Sequence, residues 1–256
     1  MQTSAADSSG SVRSVARALS VLALFDESHR TLSVRELIEG TGLPKSTVVR
    51  LVATLEQHGL LWTGRDGGIG PGAGLLRWAQ LAQDSWQLPA EAVERLRELS
   101  FRANGESARI YLRHGTTRVC IGQHEGTQPL RHVVRLGEQL PIWAGASGHV
   151  LLAGYSAQEF ARVIAAAGAA EDFEQQLRAA VDAARSRGWS SSRGEREPGV
   201  AGVAAPILDE SGEIAAAVAL GGPTTRFTDA YIDRIVPFLR DAAEQLSALP
   251  IGGVGR

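Results

Sequence analysis

A chain of 256 residues with 44% hydrophobic side chains is long enough for two domains with separate cores, and too apolar to be disordered. A formal charge of −2 argues against a protein that coats nucleic acid, and the single cysteine, Cys120, excludes an internal disulfide or a multi-cysteine zinc site. No apolar stretch has the length of a membrane span, and the N-terminus MQTSAADSSGS lacks the basic and apolar regions of a secretory signal; these features point to the cytoplasm.

Residues 1–11 are polar and Ser-rich and are expected to be disordered. Residues 12–27 read as an amphipathic helix with Val15, Leu19, Leu22 and Phe25 on its apolar side. Its Arg13 and Arg17 are candidate phosphate contacts. Ser33 followed by Glu36 is a capping-box pattern, and Val34, Leu37 and Ile38 line one face of the helix that it opens. Thr41-Gly42-Leu43-Pro44 then breaks that helix. The next helix runs from about Pro44 to His58, with Val48, Leu51, Val52 and Leu55 as its apolar stripe. Lys45, Ser46, Thr47 and Arg50 cluster at its N-terminal end, and Lys45 is the only lysine in the chain. Two helices joined by a short Gly-containing turn make a helix-turn-helix, whose second helix enters the major groove and reads bases with its N-terminal residues. The plainer alternative is an αα-hairpin in an ordinary core, with Lys45 and Arg50 solvated. Residues 1–84 carry equal numbers of basic and acidic side chains, which weakens the case for DNA; between Leu43 and Trp62, however, Lys45 and Arg50 face only Glu56. Leu60-Leu61-Trp62 and the turn Arg65-Asp66-Gly67-Gly68 read as a hairpin wing with Arg65 at its tip.

Residues 73–86 form a further helix whose apolar surface, including Leu75, Leu76, Trp78 and Leu81, is wide enough to expect a partner subunit. Another helix covers about 89–103, and the domain boundary falls near 85–90. After Asn104-Gly105 the period changes to two, with strands over 107–112, 119–123 and 131–136. Helices are expected at about 145–154, 157–167 and 173–187. The apolar runs 200–208 and 213–220, joined by Asp209-Glu210-Ser211-Gly212, read as a hairpin of buried strands, and 228–248 as a last helix. The second domain is therefore α/β with a largely antiparallel sheet.

With these motifs in place the chain resembles the IclR family of transcriptional regulators over about residues 12–250. The likeness is carried by RALSVLALF at 17–25, LSVRELIEGTGLPKSTVVRLVATLEQHGLL at 32–61, GEQLPIWAGASGHVLLA at 137–153 and PGVAGVAAPILDESGEIAAAVALGGPTTRFT at 198–228. The resemblance implies an α+β fold: an N-terminal winged helix-turn-helix (12–72), a linker helix (73–88), a GAF-like α/β effector-binding domain (89–250) and a flexible tail (251–256). It implies a ligand-responsive regulator, expected to be a repressor, that binds double-stranded operator DNA as a homodimer or dimer of dimers, with no cofactor and no membrane. The DNA contacts would be Lys45, Ser46, Thr47 and Arg50, joined by Arg65 and Arg13. The family's effector pocket falls on Ala146, Ser147, Ser192, Gly202, Ala219 and Gly221. The N–H groups of Ala146 and Ser147 are suited to a carboxylate. Relatives that bind small keto acids have acidic, thiol or hydroxyl side chains where Ser192, Gly202, Ala219 and Gly221 stand. A roomier pocket is therefore expected here, for a larger carboxylate with an apolar part, lined also by Trp143, His132 and Trp189. His149 stands where the family commonly has lysine, and is expected to be a partly buried histidine with a backbone partner, the alternative being a group that makes the function pH-sensitive.

Other chemistries are weaker. No two of the six histidines are spaced as a helical metal pair, although His124-Glu125 and His132 could meet across strands. Gly145-Ala146-Ser147-Gly148-His149 misses the last glycine of a nucleophile elbow. The alternative function is thus a small-molecule enzyme built on the effector fold, with Ser147 and His149 as its centre and the N-terminal helices used for dimerisation. The Arg193–Glu197 run reads as a solvated loop, or as a flap over the ligand. Cys120 reads as a buried small residue.

Overall fold

The computed structural model describes residues 12–26, 28–168 and 171–251. The chain forms two compact units, up to Ser85 and from Trp86. Expectations for residues 1–11 and 252–256 lie outside the described residues. Ile251, assigned to the tail from sequence, is buried in the core of the second unit. Among the described residues no helix is long and apolar enough to cross a membrane.

The first unit runs α1 (Arg13–Leu22), α2 (Val34–Thr41), α3 (Lys45–Gln57), β1 (Leu61–Thr63), β2 (Ile69–Pro71) and α4 (Gly74–Ser85). The capping box forms as read: the Ser33 hydroxyl accepts the Glu36 N–H at 3.3 Å, and Glu36 accepts the Ser33 N–H at 2.7 Å. Gly42 ends α2 with φ of 65°, a left-handed conformation that costs glycine nothing. Pro44 caps α3 instead of opening it, and its carbonyl accepts the Val48 N–H at 3.1 Å. Val48, Val52 and Leu55 bury one face of α3 against Leu37 of α2, with Leu61 and Ile69 from the hairpin. Each such side chain contributes roughly 1.5–3 kcal/mol by leaving water. β1 and β2 pair antiparallel, with Leu32 bridging to Ile69, so the wing is fastened to the start of α2. α1 is shorter than its periodicity suggests and turns a different face inward. Val21 is fully buried and Ala18, Leu22 and Phe25 pack beside it, whereas Val15 and Leu19 are exposed. Asp26 accepts the N–H groups of Ser28 and His29, which fixes the turn beyond α1.

The second unit contains α5 (Ala90–Arg102), β3 (Ser107–His114), β4 (Thr117–His124), β5 (Gln139–Pro141), α6 (Ala146–Leu152), α7 (Ala157–Ala167) and α8 (Glu171–Arg187), then β6 (Ser190–Arg193), β7 (Val200–Leu208), β8 (Ile214–Pro223) and α9 (Asp229–Ser247). The six strands form one antiparallel sheet in the order β5-β4-β3-β8-β7-β6. Both faces are covered, which explains why β7 and β8 read as continuous apolar runs. Ala108, Ile110, Val203, Val218 and Leu220 pack with α5 and α9 residues such as Leu96 and Leu239. Tyr111, Cys120, Ala204 and Ala217 pack on the opposite side with Val150 and Leu151 of α6 and with Phe160 and Leu177 of α7 and α8.

Residues 131–136 alternate in polarity but are not a strand. The His132 carbonyl accepts from the Arg109 guanidinium, and the Arg135 N–H goes to the Glu138 side chain. Backbone groups engaged in this way cannot join a ladder. The edge strand is β5 instead. The serine-rich β6 carries little sequence signal for a strand and is held by pairing with β7.

Candidate functional site

The N-terminal turn of α3 presents Lys45, Ser46 and Arg50 to solvent, with Thr47 partly buried. The buried stripe Val48, Val52 and Leu55 fixes the helix from behind. Val49, 45% exposed, lies among the polar residues of that face. Arg65 is exposed in the turn between β1 and β2, where Asp66 accepts the Gly68 N–H. Arg13 is exposed on the first turn of α1.

In the second unit the sheet register assembles a pocket. Ser192 on β6 stands opposite Gly202 on β7, Gly202 opposite Gly221 on β8, and Ala219 opposite Arg109 on β3. Ala146 and Ser147 approach from the start of α6, and His132 from the loop before β5. These seven sequence-assigned residues line one cavity. Trp143 and Trp189 do not. Trp143 packs in the core beneath α6. Trp189 precedes Ser190, and strand alternation turns it to the opposite face, into the core beside α5 and α9.

The cavity is about 60 Å³, a small fraction of the ~300–1,000 Å³ usual for ligand pockets. The expectation of a roomier, less polar lining is not met. Small residues do stand at 192, 202, 219 and 221, but Arg109, Tyr111, Arg118 and Arg196 reach into the space they leave. Arg109 and Arg118 are only 2% and 3% exposed. Arg109 donates to the His132 carbonyl at 2.5 Å. Arg118 donates to the carbonyls of Pro141 and Ala144, and its guanidinium lies 5.6 Å from the Tyr111 ring centroid. Burial pushes the Arg118 guanidinium down to about 10 and the Tyr111 hydroxyl up to about 12. His132 meets Arg196 through Nε2; burial first, then Arg196, Arg109 and Arg118, push its pKa down to about 4. It therefore stays neutral at pH 7. Glu125 pairs with Arg131 at 2.9 Å, and among the described residues no three His, Cys, Asp or Glu side chains, His124, Glu125 and His132 included, are grouped to hold a metal ion.

Residues 193–197 are exposed except for the half-buried Arg196, as expected of a solvated loop, but the loop is also tied down by side-chain contacts. Arg193 donates to the Phe227 carbonyl and to Asp229. Glu195 accepts the Gly145 N–H at 3.0 Å and meets His149 Nε2 at 3.0 Å. Burial alone would raise the Glu195 carboxyl, but the His149 hydrogen bond and charge, the Gly145 N–H and Arg118 together hold it below the usual carboxylate range. The Ala146 N–H, expected to be open to a ligand, donates to Ser192 Oγ at 2.9 Å. His149 is fully buried, and its partners are side chains and not backbone: Ser190 lies 3.0 Å from Nδ1 on the side away from Glu195. Ser190, His149 and Glu195 are the residue types of a hydrolytic triad, but Ser190 is buried and does not line the cavity, and Ser147 does not meet His149. Gly148 is dictated by packing, since a Cβ there would stand 2.1 Å from the Ile142 carbonyl oxygen. Cys120 is buried, and burial raises its thiol to about 11, far from a reactive thiolate.

Sequence reasoning missed Arg109, Tyr111 and Arg118, and reached Glu195 and Arg196 only as part of the 193–197 run read as a solvated loop or a flap. A signal was present in β3, where Arg109 and Tyr111 alternate with the apolar residues Ala108, Ile110 and Leu112. Alternation places both on the α6 side of the sheet.

Two family models match the chain: the IclR helix-turn-helix domain over residues 14–63 and the bacterial transcriptional regulator IclR C-terminal domain over residues 80–248. The chain belongs to the IclR family. An IclR-family transcriptional regulator of known structure from Rhodococcus sp. is 41% identical, with 98% of this chain and 99% of that chain covered and a TM-score of 0.62. The HTH-type transcriptional regulator KipR of Bacillus subtilis is 29% identical over 92% of this chain and 96% of its own length. An IclR homologue from Microbacterium hydrocarbonoxydans, solved in complex with 4-hydroxybenzoate, shares the fold at 21% identity and a TM-score of 0.71, covering 92% of this chain and 98% of its own. This IclR-family chain is a transcriptional regulator, with its DNA-binding helix-turn-helix in the first unit and its effector domain in the second.

Proposed function

We propose that the protein is a repressor that releases its operator when a small organic carboxylate enters the second unit. The observation that carries the DNA half is the exposed cluster Lys45, Ser46 and Arg50 on a helix pinned from behind by Val48, Val52 and Leu55. With Thr47, these side chains contact base edges and phosphates of double-stranded DNA in the major groove. Val49 among them offers an apolar contact to a thymine methyl. Arg65 on the wing tip and Arg13 on α1 contact backbone phosphates. The effector half rests on the cavity bounded by Ala146, Ser147, Ser192, Gly202, Ala219, Gly221 and His132, whose Leu140 and Tyr111 ring suit an apolar portion of the ligand. The carboxylate bound by the Microbacterium relative supports that ligand class.

The working form is a homodimer or a dimer of dimers. Val15 and Leu19 of α1, and Leu76, Trp78 and Leu81 of α4, are exposed apolar side chains of the first unit that a second copy would cover. A regulator of this kind acts in the cytoplasm, where its operator is. Regulation without catalysis is favoured over the enzyme alternative, because Ser147 lacks a base and Ser190 lacks access to the cavity. The test is an operator-binding titration with DNA from the upstream region of its own gene, with and without candidate carboxylates. Specific binding that a carboxylate weakens is expected. Tight binding that no carboxylate changes would leave a DNA-binding protein without this effector class.

A further inference from the structure

We propose that the effector is a compact dianion, a short dicarboxylate whose two acidic groups are received by Arg109 and Arg118. This rests on the reading of the cavity as the effector site, and goes beyond it in ligand charge and in the residues that select it.

Arg109 and Arg118 are almost fully buried, and among the described residues neither has an acidic side chain at ion-pair distance. The Nε atom of each is buried with no hydrogen-bond partner. Elsewhere in this unit a buried charge is paired: Glu106, 1% exposed, takes a two-point contact from Arg226. Buried charges in proteins are paired or ligand-bound, so two unpaired guanidinium groups lining one cavity point to two incoming anionic groups. The third cation of the lining, Arg196, already has Glu197 at 3.5 Å. Glu195 faces His149 and Gly145 and acts on Arg118 only through longer-range electrostatics.

The two guanidiniums sit at different ends of the site. Arg118 lies beside the start of α6, where a Cβ on Gly145 would be 3.3 Å from its Nη2. Arg109 lies beside β8, its Nη1 3.8 Å from the position of a Gly221 Cβ. Tyr111 lies between them, on the same strand face as Arg109 and against the Arg118 guanidinium. A single carboxylate would neutralise one arginine and leave the other. An inorganic dianion such as phosphate concentrates its charge at one point. A dicarboxylate with a short apolar spacer matches both ends, with Leu140 and the Tyr111 ring as its apolar surroundings. The small present volume means that entry displaces side chains of the lining, and Arg196 and Glu195, on the 194–197 loop, and His132, on the loop before β5, lie outside the sheet.

The experiment is calorimetric titration of the full chain with succinate and glutarate, against butyrate, succinamide and inorganic phosphate, each repeated on Arg109→Gln and Arg109→Lys. One of the two dicarboxylates is expected to bind at least about tenfold more tightly than butyrate, succinamide or phosphate. Arg109→Gln should erase that preference, and Arg109→Lys, which keeps the charge, should retain part of it. Equal binding of butyrate or phosphate would overturn the dianion assignment while leaving a carboxylate or anion site in place. No binding by any of the five compounds would overturn it too; loss of operator binding on adding the small-molecule fraction of a cell extract would then show that the effector reading survives with another ligand class. An Arg109→Gln chain that fails to fold would leave the decision to the wild-type ranking and to Arg109→Lys.

Discussion

One carboxylate oxygen of Glu195 lies 3.0 Å from Nε2 of His149 and also accepts the Gly145 N–H at 3.0 Å. This contact latches the 194–197 loop to the first turn of α6 across the mouth of the cavity, and it places a negative charge where an anionic ligand must arrive. Glu195→Gln keeps the side-chain volume and an acceptor for Gly145 but removes that charge. Dicarboxylate affinity should rise by about threefold to tenfold, as read by calorimetry, in keeping with ~1 kcal/mol for a partly screened charge. Unchanged or weaker affinity would show that the latch supports the closed site more than its charge opposes the ligand.

The second unit should lose stability in acid through two groups. The folded His132 pKa, about 4, lies below its ordinary 6.5, so its neutral form is the one the fold prefers. That contribution is fully present above pH 6.5 and lost as pH falls toward 4, on the order of 1–3 kcal/mol for a group that water partly screens. Glu195, also held low, contributes stability that is lost as pH falls through its folded value. Urea midpoints measured from pH 7.5 to 4 should fall, and His132→Gln should flatten the upper part of that fall. An identical pH profile for the variant would contradict the assignment.

Gly148→Ala should destabilise the second unit by about 1–3 kcal/mol or more, because the added methyl meets the Ile142 carbonyl oxygen and the Arg118 guanidinium. Thermal unfolding monitored by circular dichroism checks this. A melting temperature within a degree or so of wild type would mean that the loop before α6 yields more easily than its contacts suggest.

The exposed side chains of α1 and α4 should separate the oligomer when made polar. Leu76→Asp combined with Leu19→Asp is expected to shift the mass in light scattering toward a single chain without loss of helical signal. An unchanged assembly would move the interface elsewhere.

The local signals that survive folding best are those decided by one or two residues. The Ser33/Glu36 box and the left-handed Gly42 formed as read, because caps and turns depend on neighbours in sequence. The stripe Val48, Val52 and Leu55 was legible because one periodicity had one buried face. Residues 131–136 alternate like a strand, yet a guanidinium 23 residues earlier in the chain takes the His132 carbonyl, and no local pattern reveals that competition. The same holds in the pocket. The small residues at 192, 202, 219 and 221 were placed by resemblance, whereas the side chains that fill the space they leave come from β3, β4 and the 194–197 loop. An arginine in a strand reads as solvent-facing until the sheet is known to be covered on both sides.

The most direct measurement is operator binding by fluorescence anisotropy as a function of salt, for wild type and for Lys45→Ala with Arg50→Ala. Wild type should bind DNA from its own upstream region specifically, with affinity falling steeply as salt rises. The double variant should bind at least about tenfold more weakly, with a salt slope shallower by roughly 1–2, while its dicarboxylate affinity and melting temperature stay as in wild type. Equal operator affinity and equal salt slope for the two proteins would contradict the placement of the DNA-reading surface on α3.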